Sequence, residues 1–439
     1  INQIKKMETA VQNTLPTSKL IIKGLIIGGL ALLLMIPAWF VQNLILERQA
    51  RQKEAFTEVS SKWAGRQNIT GPVLVIPYVR SAVDGSGKQV TVRSLAYFLP
   101  DKLNIESDVQ PVKRYRGIYE VMLFSSSVKL NGKFSALPLQ KLSLAPADLV
   151  WNEAYVCFGI SDPKGMKDEL QLAWNDSLLT LSPSNINNAV FKDGFASPVT
   201  ITEVQAATEI SFSSRINING SEQLFFTPVG KQTSVQMRSS WPDPSFTGTQ
   251  LPDTSDISEK GFVAKWKNLS QTRSFPQAWK DDAYVLSQSS FGADLFIPIN
   301  GYQKIMRSVK YAILCILLTF TAFFLIETTN KKSVHPVQYA LIGFALILFY
   351  TLLLSFSEYI GFNGSYAVAS IATIGLIAWF VKGLLQSMRL SVLLSCVLLL
   401  LYSYVFTILQ LQDYALVLGS VGLFLTLAVV MYYSRRIQW

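Results

Sequence analysis

From Arg307 to Trp439 the sequence alternates long apolar runs with short polar joints, a pattern that no soluble domain can bury. The runs are Ala312–Ile326, Tyr339–Phe356, Tyr366–Val381, Leu390–Ile408 and Tyr414–Tyr433. Each is about as long as a helix must be to cross a hydrocarbon layer of ~30 Å, some with help from flanking aromatics. Between Tyr311 and Ser434 the charged side chains are Glu327, Lys331, Lys332, Glu358, Lys382, Arg389 and Asp413, and all fall in the joints. Lipid offers the backbone no hydrogen-bond partners, so such segments must be helices. A further apolar run, Leu20–Val41, lies near the start and carries Lys23 close to its beginning. It is too long for a signal-peptide core. Ile36-Pro37-Ala38-Trp39-Phe40 is not a small-residue cleavage pattern, so the run reads as an uncleaved signal anchor and the first of six spans.

Between the first span and the other five the pattern changes. Residues 43–65 read as an extramembrane linker helix, with Leu44, Ala55, Val59 and Trp63 on one stripe and Gly65 as terminator. From residue 66 to about 305, alternation of period two and turn chemistry take over. Val73–Val79, Ile118–Phe124, Ser127–Phe134, Thr208–Ile218 and Ser234–Trp241 read as strands, with Asn131-Gly132 and Asn219-Gly220 as turns. The expected fold class is therefore a membrane α-helical protein, one span N-terminal and five C-terminal, carrying a large inserted all-β domain. The divisions are 1–19 (tail), 20–42 (span one), 43–65 (linker helix), 66–305 (β domain), 306–434 (five-helix bundle) and 435–439 (end). Whether the β region is one sandwich or two packed subdomains stays open.

Hydrophobic residues make up 50% of the chain, more than in a soluble domain, and the formal charge is +10. A basic balance can signal nucleic acid, but its distribution argues otherwise. Residues 43–305 carry 27 Lys/Arg and 25 Asp/Glu, whereas the remainder carries 12 and 4. The excess thus flanks the spans, where it sets orientation. Lys19 and Lys23, Lys331 and Lys332, Lys382 and Arg389, and Arg435 and Arg436 mark one side, which puts both termini in the cytoplasm and the β domain outside. Arg307 and Lys310 are in tension with this, because they lie at the outer mouth of span two. Of three cysteines, Cys315 and Cys396 fall in spans and Cys157 stands alone in the β region, so that region has no internal disulfide. A single histidine, His335, excludes multi-His metal sites and leaves little room for a Ser-His-Asp triad.

Candidate sites are few. Glu327 and His335 lie eight residues apart across a short helical hairpin, where they could form a proton-sensitive pair or simply a turn with Pro336 opening the next helix. Glu358 and Asp413 fall on the outer side and are expected to line a solvated rim. Ser126–Lys129 and Ser161–Lys164 fit Ser-x-x-Lys, but the companion Ser-Asp-Asn and Lys-Thr-Gly elements are missing. Asp253, Asp256, Asp281 and Asp282 are oxygen donors without a calcium-loop pattern, and read as turn residues. Trp241-Pro242-Asp243-Pro244 is a rigid stretch, either a corner with Trp241 in the core or an exposed recognition loop. No catalytic residue, cofactor or metal is expected.

Several strings together resemble the CreD family of bacterial inner-membrane proteins. The most specific part is Tyr311–Phe362, with Glu327, His335-Pro336, Gln338-Tyr339 and Ser357-Glu358 at the family's positions; Ile326 stands where the family has Phe before the glutamate. Gly71–Pro77, Arg116–Tyr119, Ser240–Phe246 and Gly261–Trp266 look similar too. The resemblance implies a multi-pass protein of the bacterial inner membrane that supports envelope integrity and stress response, with the β domain periplasmic. It brings no reaction. The expected partners are the lipid bilayer and an envelope component or membrane protein, with homo-oligomerisation left open and no nucleic acid. The rival expectations are a transporter or flippase of an envelope lipid or peptide, favoured by Gly343, Gly375, Gly383 and Gly419 in the bundle, and a membrane-bound envelope hydrolase.

Overall fold

The computed structural model describes residues 22–83, 85, 89–184, 190–191, 194–281, 284–295, 300–330, 334–411 and 415–434. The 1–19 tail, the 435–439 end, Lys331, Lys332, Asp282 and Asp413 lie outside the described residues. The chain divides into two units, one formed by Glu54–Ile297 and the other by the segments before and after it.

The membrane unit contains α1 (Ile22–Trp63), which runs on into the β unit, α2 (Asn300–Lys310), α3 (Ala312–Thr329), α4 (Pro336–Leu385), α5 (Met388–Gln410) and α6 (Ala415–Ser434). Among the described residues α1, α3, α4 and α5 are long and apolar enough to cross a membrane. Helix α4 has 50 residues, about 75 Å if straight, more than twice a hydrocarbon layer. It is two apolar legs broken at Gly361, whose φ of 72° and ψ of 172° are not helical. The polar joint expected between the runs that end at Phe356 and begin at Tyr366 is thus reduced to one residue. Only glycine occupies that backbone region without strain, and Ser365 Oγ donates to the Gly361 carbonyl (2.6 Å). Residues 300–305, read from sequence as the end of the β domain, are helical.

Among the described residues the β unit has fifteen strands: β1 (Gln67–Val83), β2 (Gln89–Phe98), β3 (Lys102–Arg116), β4 (Tyr119–Phe134), β5 (Tyr155–Ile160), β6 (Leu170–Trp174), β7 (Ser177–Ser184), β8 (Gly194–Pro198), β9 (Ile210–Thr227), β10 (Gln232–Ser239), β11 (Ser245–Gly248), β12 (Thr254–Ser258), β13 (Gly261–Leu269), β14 (Ala278–Lys280) and β15 (Phe291–Leu295). They form one connected network, in the order β12-β13-β10-β3-β4-β9-β6-β7-β8-β5-β1-β2-β14. Because β9 also pairs with β1 in parallel, strands β9, β6, β7, β8, β5 and β1 close a circuit. One hydrophobic core fills the unit, with Trp266, Tyr97, Phe98, Phe124, Phe134, Phe158, Phe226 and Phe291 essentially inaccessible. Each such aromatic contributes about 1.5–3 kcal/mol by leaving water. The question of one body or two is answered: one core, one network.

Two of the expected turns are not turns. β4 runs through Asn131-Gly132 to Phe134, and β9 runs through Asn219-Gly220 to Thr227. The glycines serve close packing instead. A Cβ on Gly132 would collide with the Lys102 carbonyl and the Phe212 ring, and one on Gly220 with the Phe124 ring. Ile118–Phe124 and Ser127–Phe134, expected as two strands, are one.

Strand β9 also fixes where the unit begins and ends. Its residues 222–227 are flanked on one side by β1, with Gln67 opposite Leu224, and on the other by β15, with Leu295 opposite Glu222. Two strand spacings, about 10 Å, therefore separate the first strand from the last.

Candidate functional site

Two clusters of charged and polar side chains join helices of the membrane unit. The first is built on the last turn of α3, where Glu327 is only 4% exposed. Its carboxylate accepts from Val334 N (2.8 Å), from Tyr339 OH (2.7 Å) and from the Lys23 ammonium of α1. Lys23 Nζ also donates to the Val334 carbonyl (2.7 Å). Tyr339 is held in place by the rings of Phe320 and Phe323, at centroid distances of 5.6 and 4.9 Å. A buried carboxylate is costly unless paired and hydrogen-bonded, and here both oxygens are engaged.

His335 does not join this group. It is exposed and caps α4: its Nδ1 accepts from Val337 N (3.3 Å), while its own N–H donates to Gln338 Oε1 (2.9 Å). Pro336 occupies the first helical position, where a missing N–H costs nothing. The structure therefore brings Glu327 to Tyr339 and to the residue before His335, and makes His335, Pro336 and Gln338 the adjoining cap. Sequence inspection missed Lys23 as the partner. The signal was there, since a lone cation inside an apolar run requires a counter-charge.

The second place lies around the break in α4. Glu358, expected on a solvated rim, has a side chain only 10% exposed. It accepts from Tyr302 OH (3.0 Å) and faces Arg48 of α1 at 3.8 Å. Beside it Lys304 donates to Gln410 Oε1 (3.0 Å), Gln410 donates to Asn363 Oδ1 (2.6 Å), and the Lys304 ammonium sits 5.6 Å from the Phe362 ring centroid. Along α4, Tyr339 and Glu358 are 19 residues apart, or about 28 Å. The two polar groups are thus separated by nearly one hydrocarbon thickness. Each ties α1 to the hairpin helices through an acid–base pair.

In the β unit, Trp241 lies in the core (9% exposed) and its indole N–H donates to the Asp243 carbonyl (2.9 Å), closing the corner; Pro242 is half-buried. No exposed aromatic is left at this corner. Ser126 is buried and bonded to Ser107 (3.0 Å), while Lys129 points out on the opposite face of β4. Ser161 bonds the Asn68 backbone, and Asp162 caps the turn that holds Lys164. Neither Ser-x-x-Lys pair forms a nucleophile and base. Asp253 accepts from Lys267 N (2.5 Å) and Asp281 from Tyr78 OH (3.4 Å), and Asp256 is exposed on β12. Among the described residues no three His, Cys, Asp or Glu side chains converge as a metal site. Cys157 is fully buried, and burial pushes its thiol far above the usual range.

One open groove of about 730 Å³ crosses the exposed faces of β4, β9 and β6, lined by Lys129, Asn131, Asp168, Gln171, Arg215 and Asn217 among others. Lys129 and Arg215 are direct cross-strand neighbours, a like-charge pairing that by itself costs stability. Glu106, opposite Lys129 on β3, and Asp168, which accepts from Asn217 Nδ2 (2.7 Å), supply the other sign. The groove therefore exposes donors, acceptors and side chains of both charges.

Residues 19–439 match the family model described as inner membrane protein CreD. The chain is 29% identical over 417 residues to the inner membrane protein CreD of Escherichia coli (strain K12), covering 94% of this chain and 92% of that protein. Helices fit to cross a bilayer, and a family match over nearly the whole length, together make this chain a member of the CreD family of inner membrane proteins.

Proposed function

We propose that this protein is a non-enzymatic, six-span anchor of the bacterial inner membrane that holds a β-rich binding domain on the periplasmic side and thereby supports envelope integrity under stress. The spans are the apolar part of α1, α3, the two legs of α4, α5 and α6. Both termini are cytoplasmic. The observation that carries the binding role is the groove over β4, β9 and β6, whose mixed-charge, amide-rich floor suits a polar envelope component. Further support comes from proportion: Glu54–Ile297 is more than half of the chain and is joined to membrane helices at both ends. The non-enzymatic reading is favoured by the placement of His335 in a helix cap and of Ser126 and Lys129 on opposite faces of one strand.

Two experiments test this. Residues 66–297 are replaced by a short Gly/Ser linker and, separately, Lys129→Glu and Arg215→Glu are combined in the full chain. Both are expected to lose tolerance to envelope stress in a strain lacking the native protein, and full tolerance from the deletion would reject the proposal. For orientation, Asn152→Cys is expected to react with a membrane-impermeant thiol reagent in cells with a permeabilised outer membrane, because Asn152 is exposed. Labelling only after inner-membrane lysis would reject the topology.

A further inference from the structure

Helix α2 explains the two cations that do not suit the charge pattern of the spans. It is amphipathic. Tyr302, Ile305, Ser308 and Val309 are buried, while Gln303, Arg307 and Lys310 are exposed. The exposed three are spaced i, i+4, i+7 and so share one stripe. The buried side is fastened to the bundle by Tyr302 on Glu358 and by Lys304 on Gln410. No Asp or Glu occurs between Asn300 and Lys310, and among the described residues no ion pair involves Arg307 or Lys310.

The level of this stripe relative to the lipid follows from covalent continuity. Only Tyr311 separates α2 from α3, whose 18 residues, predominantly apolar up to Ile326, span about 27 Å and leave no length to spare in crossing the hydrocarbon. Lys310 and Arg307 lie two and five residues before Ala312, within about 8 Å along the helix path. The headgroup layer on each side is about 5–7 Å deep. Both cations therefore fall in the layer of lipid phosphates. We infer that the Gln303–Arg307–Lys310 face is a docking surface for anionic phospholipid headgroups of the bilayer that α3 crosses. Charge complementarity selects that occupant: an amphipathic helix with a basic outer stripe at a membrane surface binds anionic lipid. The surface depends on the six-span reading only for which leaflet it faces.

The test uses the full chain reconstituted in nanodiscs of mixed phosphatidylglycerol and phosphatidylcholine, with retained lipid counted by native mass spectrometry. Arg307→Gln with Lys310→Gln is expected to lower the preference for phosphatidylglycerol by roughly 5-fold per cation removed. Arg307→Lys with Lys310→Arg is expected to keep it. Lys382→Gln with Arg389→Gln serves as the comparison for cations elsewhere on the bundle. Unchanged lipid preference in the α2 double variant overturns the inference, as does an equal loss in the comparison variant. The thiol-labelling experiment reports topology independently, so failure of the six-span reading is distinguishable from failure of this surface.

Discussion

Removing the charge of Glu327 tests the physical account of the membrane unit most directly. In Glu327→Gln the side chain keeps its shape, and its carbonyl still accepts from Val334 N. The amide can donate to the Tyr339 hydroxyl. The loss is concentrated in Lys23, whose ammonium keeps the amide oxygen and the Val334 carbonyl as neutral acceptors but no longer faces a counter-charge. Breaking a fully buried pair costs about 3–5 kcal/mol. The Lys23 side chain is 22% exposed, so some of that cost is screened, and we expect about 2–3 kcal/mol. Lys23→Met should cost a similar amount, because it strands a carboxylate that is only 5% exposed. If the two groups act on each other, the double variant should lose less than the sum of the singles, with a coupling of about 1–2 kcal/mol. The assay is SDS-driven unfolding of the purified protein, followed by far-UV helicity. Glu47→Gln is the control, since its i,i+4 pair with Arg51 is exposed and worth at most about 0.5 kcal/mol. Strict additivity, or a Glu327→Gln effect no larger than the control, would refute the claim that this pair fastens α1 to the hairpin.

Three further outcomes follow from the geometry. Gly361→Ala should destabilise the bundle by about 1–3 kcal/mol in the same SDS titration; a Cβ there meets nothing within 4 Å, so the whole cost is backbone strain, and a neutral substitution would deny the break at that residue. Gly132→Ala should cost about 1–3 kcal/mol in thermal unfolding followed by near-UV dichroism, because the added methyl is forced against the Lys102 carbonyl; an unchanged melting temperature would contradict the strand packing. Burial raises the Cys157 thiol, so its labelling by a maleimide at mildly alkaline pH should be slow and should track unfolding of the β unit, whereas free-thiol rates in the native protein would disprove its enclosure.

Membrane helices were legible because lipid imposes one rule on every residue of a span, and a run such as Leu390–Ile408 admits one reading. The β class was legible from alternation, as in β3, where Leu103, Ile105, Ser107 and Val109 face in while Lys102, Asn104, Glu106 and Asp108 face out. Strand ends were not, because Asn-Gly carries two meanings. At Asn131-Gly132 the glycine answers to a neighbouring strand 30 residues back, which no local window contains. The partners of the acids were hidden for the same reason. Lys23 and Glu327 are 304 residues apart, and Arg48 meets Glu358 across a similar span of sequence. Residues that cap their own helix, such as His335 with Gln338, are readable locally; residues that fasten one helix to another are not.

The placement of β1 and β15 on either side of β9 has a mechanical consequence inside the β unit. Because both end strands are zipped to one shared neighbour, neither can peel away without baring an edge of β9, the strand that also holds β4 and β6. Loss of either terminus of the unit would therefore be felt in the middle of the network rather than at its rim, so fraying from an end and opening of the whole β unit are one event.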